Sequence, residues 1–493
     1  MHQQRNMVIF GLILLGLFLN CLVNRQADPD LWGYLAFGRE FWGAHGFPWK
    51  DAFSYAPTKP LWVYHEWLTG VVLHPLWEHV GPWALQALRY GLALGAVGLT
   101  WLTARRRGAD RTGASLMLLW WCYVLASSYS PLRAGAFTYF CFALYLCILE
   151  SYRLDGKAGR LAWLVPLMAV WANAHGGFVA GLGLIGLYFA GGLLEKKFRW
   201  PLLLVGAGAG LVTLLNPYGL DYWRYLLQAL SLKRVEIGEW SSIWGAWQRG
   251  EPADLYIFFL LALGVAVLLL VWRRRWEPTK LLVLAATAYL GCGHLRHQPF
   301  FFMTMVALCA TDLGALLERL RGEAWWPRLV RVLGGRLAAG VGLVVFGLLL
   351  AKWLLATPWA LGPYDLNSGQ AKGLHYPLGA VRYMEQKGLK GNLLPRFAWG
   401  EYLLWRLGPG IKVGMDGRYE TVYDPAYCLA YFDFTQSRAN GAKFLAGHPH
   451  KLALFPPGSP AARLLARSPG WVMIYADPGA ALFAKRPLKE PCG

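Results

Sequence analysis

Apolar stretches of about 17 to 25 residues, the length an α-helix needs to cross a bilayer, recur through the first two thirds of the chain. The first runs from about Met7 to Val23; others lie near 84–104, 114–128, 135–151, 161–174, 178–194, 201–216, 254–272, 280–293, 299–317 and 338–356. This pattern predicts an α-helical polytopic membrane protein of about eleven transmembrane helices. The first stretch has no small-residue cleavage site and runs straight into Asp28-Pro29-Asp30, so it reads as an uncleaved helix. From about Gly362 the pattern changes. Short β-like runs at Asn392–Phe397, Ile411–Met415, Lys451–Phe455, Trp471–Tyr475 and Ala480–Ala484 alternate with helical periodicity at Leu378–Lys387 and Ala461–Arg467. A small α/β domain is expected there. The chain thus divides into a membrane part, 1–361, and a soluble part, 362–493.

Basic residues orient the spans, because retained cytoplasmic loops hold Lys and Arg. Arg105, Arg106, Arg107 and Arg111 follow the second stretch; Arg153, Lys157 and Arg160 the fourth; Lys196, Lys197 and Arg199 the sixth. Arg273, Arg274 and Arg275 follow the eighth, and Arg319, Arg321, Arg328, Arg331 and Arg336 the tenth. Every even-numbered stretch therefore ends in a basic cluster. The amino terminus is expected in the cytoplasm, and two long loops, 26–83 and 216–254, together with the C-terminal α/β domain, on the outer face. Aromatic spacing over Leu31–Trp42 and Trp67–Trp77 suggests amphipathic helices lying in the membrane interface.

Composition agrees. The 493 residues are 56% hydrophobic and 15% charged, with a mean hydropathy of +0.33, far from a soluble average. A net charge of +20 would suggest nucleic acid in a soluble protein, but here the basic residues sit between apolar runs and set topology, which argues against a nucleic-acid partner. The 8 cysteines include no CxxC and read as small buried hydrophobes; only Cys428 and Cys492 lie where an oxidising compartment could pair them.

Charged side chains at the outer ends of helices are the candidates for chemistry, since ionisable groups at the membrane are costly unless they work. Asp28 and Asp30 can face a common point if their segment is extended or a turn. One would then take a proton from a hydroxyl while the other orients it or holds a divalent cation such as Mg or Mn. Asp-Pro-Asp after a helix equally reads as a turn and N-cap. His65 and Glu66 form a second polar pair in the same loop, for acceptor binding or for capping a helix. His175 stands at a helix end before Gly176-Gly177, with room for a ligand or for a hydrogen bond between helices. His294, Arg296 and His297 place three cations on a very short outer turn, against the charge trend; with Arg133 at another outer turn they would suit a phosphate. In the C-terminal domain, Gly400-Glu401-Tyr402 and Met415-Asp416-Gly417-Arg418 stand at strand ends and read mainly as turns, though Arg418 could reach a site at the membrane.

The motifs Asp28-Pro-Asp-Leu-Trp-x-x-Leu-x-x-Gly38, Gly46-x-Pro-x-x-Asp-x-Phe-Ser-Tyr55, Trp62-x-x-His-Glu-Trp-Leu68, Trp171-Ala-Asn-x-His-Gly-Gly177 and Asn216-Pro-Tyr-Gly219 together resemble bacterial polytopic proteins related to the GT-C superfamily of glycosyltransferases. That superfamily includes protein O-mannosyltransferases, aminoarabinose transferases and oligosaccharyltransferase catalytic subunits. The resemblance implies transfer of a sugar, with inversion, from a polyprenyl-phosphate donor to an acceptor hydroxyl on the outer face of the bacterial inner membrane. It places the base at Asp30 or Asp28, which are Asp-x-Asp here where the mannosyltransferases have adjacent Asp-Glu. Donor phosphate contacts are expected from His175, His294, Arg296, His297 and Arg133, and acceptor contacts from His65 and Glu66. The competing expectation is a non-enzymatic lipid-saccharide transporter or an envelope-assembly scaffold.

Overall fold

The computed structural model describes residues 2–44, 46–129, 132–231, 237–328, 332, 335–356, 359, 361–366, 374–438 and 441–486, so Arg331 and Cys492 lie outside the described residues. The chain forms two compact units, Met1–Asn24 with Gln86–Ala360, and Arg25–Leu85 with Leu361–Gly493. The loop 26–83 thus groups with the C-terminal segment and not with the helices that flank it.

The first unit is helical. Helices occupy all eleven predicted stretches, but only six of those described are long and apolar enough to cross a membrane: Gln4–Cys21, Gly135–Asp155, Gly176–Leu194, Tyr256–Arg273, Leu295–Arg321 and Arg336–Leu355. The other stretches fall short for local reasons. Trp200–Val212 and Pro278–Gly293 are 13 and 16 residues long. Between Arg111 and Tyr129 the helix changes to 3₁₀ and π turns, and the stretch before Ala174 begins as 3₁₀ and contains Pro166. Pro82–Arg106 carries the fully buried Arg89, whose guanidinium donates to the Leu22 and Asn24 carbonyls.

Small residues let helices meet closely, as lipid-facing helices must when no hydrophobic effect joins them. His2–Cys21 packs against Arg336–Leu355, where a Cβ on Gly342 would stand 2.6 Å from Ile9 Cγ2. Asn20 Nδ2 bridges that pair, donating to the Gly16 and Leu349 carbonyls at 2.8 Å each. At one end of this unit the arginines after different helices converge on three acids. Arg107 pairs with Glu150 at 2.6 Å and Glu277 at 3.0 Å, Arg153 with Glu150, Glu195 and Glu277, and Arg199 with Glu195 at 3.1 Å. Tyr188 donates to Glu150 at 2.6 Å.

The second unit contains all five predicted strands: β1 (Gly391–Pro395), β2 (Ile411–Val413), β3 (Leu452–Phe455), β4 (Trp471–Ala476) and β5 (Ala481–Lys485). Their order is β2-β1-β3-β5-β4, with β2, β1 and β3 parallel and β5 antiparallel to both β3 and β4. The helix Gly400–Leu407 crosses from β1 to β2. The loop 26–83 joins this sheet: Val413 N–H donates to the Phe53 carbonyl at 3.0 Å, and Tyr55 N–H donates to that of Val413 at 3.3 Å. Its first helix, Pro29–Gly43, is buried continuously from Leu31 to Gly38, against Trp67–Pro75 and Gly400–Leu407. It is therefore a packed helix of this unit and not the one-sided interfacial helix expected from its aromatic spacing, although Trp42 in its last turn stays substantially exposed.

Candidate active site

Parallel strands tend to place binding groups beyond their carboxyl ends, and two of them do so here. The chain leaving β1 enters the helix Gly400–Leu407, whose first turn carries Glu401; the chain leaving β2 carries Asp416, Gly417 and Arg418. The start of Pro29–Gly43 meets both. Glu401 Oε2 accepts the Gly33 N–H at 3.2 Å, and a Cβ at Gly33 would lie 2.5 Å from that carboxyl, so a side chain there would have to displace it. A Cβ on Gly417 would stand 3.0 Å from Glu401 Oε1 and 3.3 Å from Asp30 Oδ1. Asp30 and Glu401 therefore converge on one point from segments 371 positions apart. Burial, then the Asp30 and Asp416 charges, push the Glu401 carboxyl well above the ordinary glutamate range, against the opposing pull of Arg418.

Asp28 and Asp30 have different roles. Asp28 is the N-cap of Pro29–Gly43, its Oδ1 accepting the Asp30 N–H at 3.1 Å. Asp30 sits in the first turn, half-buried, where the helix dipole favours negative charge. Glu66 Oε2 accepts the Tyr34 hydroxyl at 3.0 Å, and its other oxygen lies 3.6 Å from His65 Nε2. Glu66 holds the N-cap position of Trp67–Pro75 without a side-chain capping bond. Burial, then Glu66 and further carboxylates including Asp30 and Glu401, raise the hydroxyls of Tyr34 and Tyr64 well above the usual tyrosine range. Tyr34 thus stays a neutral donor.

Arg418 lies behind this group, closed into an ion-pair knot. It clasps Asp416 with Nε at 2.9 Å and Nη2 at 2.6 Å, donates through Nη1 to Asp51, and lies 5.0 Å from the ring centres of Phe53 and Trp62. Burial would lower its pKa, but Asp416 and Asp51 outweigh that and raise it. It ties the loop 26–83 to the segment after β2 and is a structural cation.

In the helical unit the structure gathers Arg133, His294, Arg296 and His297 about the short segment Gly238–Trp240. Arg133 Nη1 donates to Glu239 Oε2 at 2.8 Å, and Arg296 Nη1 lies 3.4 Å from Glu239 Oε1. The Arg296 guanidinium rests 4.5 Å over the Trp240 ring, and His294 Nδ1 is 2.7 Å from the Trp240 carbonyl. The His294 and His297 rings are 5.2 Å apart. Partial desolvation would raise the Glu239 carboxyl, yet Arg133 and Arg296 hold it down to about 2. His175 is held separately: its Nδ1 accepts the Gly177 N–H at 2.9 Å and meets Thr138 Oγ1 at 2.8 Å, and that oxygen also accepts the Trp171 indole at 2.8 Å. These bonds leave its Nε2 to carry the proton.

Two residues escaped the sequence reading as partners of the site. Glu401 had a usable signal, an acid in the first helical turn after a strand; Glu239 had only its position in an aromatic outer loop. Among the described residues no group of three or more His, Cys, Asp or Glu side chains is placed to hold a metal ion, and one Asp28 oxygen is already committed as a cap. The described residues do not form a preformed cation cage.

The fold is shared with solved structures of one protein. The chain matches ArnT from Cupriavidus metallidurans bound to undecaprenyl phosphate over 97% of both chains, with a TM-score of 0.54 and 16% identity. It matches the apo state of the same protein over 97% of both chains, with a TM-score of 0.54 and 17% identity. No protein-family model and no curated protein matches the sequence.

Proposed function

We propose that this chain is a membrane glycosyltransferase that moves a sugar from a polyprenyl-phosphate donor to an acceptor hydroxyl, with inversion at the anomeric carbon. The observation that carries this reading is a fold shared over nearly the whole chain with a protein that binds undecaprenyl phosphate. The side chains suit the task. Asp30 is the base that accepts the acceptor's proton as its oxygen attacks the anomeric carbon, while the bond from that carbon to the phosphate oxygen breaks and its electrons stay on the phosphate. Arg133 and Arg296, with His294 and His297, meet the charge that develops on the phosphate. Tyr34 and Glu66 with His65 orient the acceptor, and His175 offers Nε2–H as a further donor to the phosphate. The C-terminal unit and the first loop stand on the outer face of the inner membrane in this reading.

The test uses the full chain in nanodiscs, incubated with sugar-charged undecaprenyl phosphate lipids extracted from bacterial membranes, with lipid discharge followed by mass spectrometry. Wild type should discharge a subset of the lipids; Asp30→Asn should bind them and leave them charged. A folded wild type that retains no polyprenyl phosphate would overturn the reading, and discharge by Asp30→Asn at the wild-type rate would move the base elsewhere.

A further inference from the structure

We infer that Glu239 is a built-in competitor of the lipid phosphate, an internal carboxylate that occupies Arg133 and Arg296 until a phosphate monoester displaces it. The inference rests on the donor-site reading above and deepens it. Carboxylate and phosphate are both acceptors for a guanidinium fork, so they compete for the same donors. In the resting structure Glu239 spans both arginines, one per oxygen, at 2.8 and 3.4 Å. The clasp is accessible: Arg133, Glu239 and Arg296 side chains are 35%, 37% and 27% exposed. The segment that carries Glu239 is anchored independently of its carboxylate. Leu295 N–H donates to the Ser241 carbonyl at 2.9 Å, and His294 Nδ1 meets the Trp240 carbonyl. Loss of the charge at position 239 should therefore leave the turn in place and release both guanidiniums from that carboxylate.

The competition matters because the phosphate changes charge during transfer. A sugar phosphodiester carries one negative charge, whereas the monoester left behind carries nearly two at neutral pH. Two uncompensated arginines would hold that product tightly. A carboxylate ready to reclaim them weakens product retention, and the weakening is largest for the more highly charged species.

The experiment measures affinities for undecaprenyl phosphate, undecaprenol and inorganic phosphate by native mass spectrometry of the full chain, comparing wild type, Glu239→Gln and the double variant Arg133→Ala/Arg296→Ala. Undecaprenyl phosphate should bind Glu239→Gln about 1.4-fold to fivefold more tightly than wild type, the range for partly exposed charge pairs, and the double variant more weakly. Undecaprenol should bind all three equally. If the double variant loses affinity while Glu239→Gln binds as wild type or more weakly, Glu239 only organises the arginines: the inference fails and the donor site stands. If the double variant binds as wild type, the donor site itself fails, and the inference with it. Tightening seen for inorganic phosphate alone would overturn the lipid assignment.

Discussion

Replacing Arg418 by methionine should cost the second unit more than any neighbouring surface change, because it removes a cation from between two buried carboxylates. The Arg418, Asp51 and Asp416 side chains are 3%, 1% and 0% exposed. Asp51 would keep the N–H groups of Phe53 at 3.2 Å and Ser54 at 2.8 Å, and Asp416 the Tyr423 hydroxyl at 2.8 Å and the backbone N–H of residue 418 at 3.0 Å. Three charge-assisted bonds would go, and two carboxylates would lose their counter-ion. Breaking a buried pair from one side typically costs about 3–5 kcal/mol. For a unit of this size that corresponds to a fall in melting temperature of roughly 6–20 °C. Tryptophan-fluorescence melts of the intact protein in detergent would show the loss. A fall under about 2 °C would refute the assignment of Arg418 as a structural cation.

Two further substitutions separate structural from chemical roles. Asp28→Ala should lose about 0.5–2 kcal/mol of stability through the missing cap, and Asp28→Ser should restore both melting temperature and lipid discharge; a serine variant that is stable but inert would give Asp28 a part in the chemistry. His450, 1% exposed and 2.6 Å from the Tyr55 hydroxyl, has its pKa lowered to about 3 by burial and by His448. Its neutral form therefore contributes stability that is present above pH 6.5 and lost as pH falls toward 3, at up to about 1.4 kcal/mol per pH unit. His450→Gln keeps a partner for Tyr55 and should flatten that acid loss in denaturant titrations between pH 7 and 4; an unchanged slope would assign the acid sensitivity to other groups.

What was legible in the sequence was local, and what was not depended on partners far along the chain. Short β-like runs beside glycine and proline located all five strands, and the helix-end carboxylates Asp28 and Asp30 stood out because the chain is poor in acids. The span count was less secure, because apolar length does not register a Pro166, a 3₁₀ turn or a buried Arg89. The site shows the limit most clearly. Glu401 reads as part of a turn until the start of Pro29–Gly43 is seen against it, a pairing 368 residues long through Gly33. Arg133 and Arg296 read as free cations until Glu239 is placed between them. The basic clusters carry the same lesson. Their spacing is legible as a topology signal, yet Arg107, Arg153 and Arg199 are also the cations of a network around Glu150, Glu195 and Glu277. A charge pattern along the chain counts the cations at each helix end, and only the fold shows which of them already have an anion. That difference decides whether a positive group can take a phosphate, and it is why Glu239, an acid, becomes the informative residue in a site first defined by its bases.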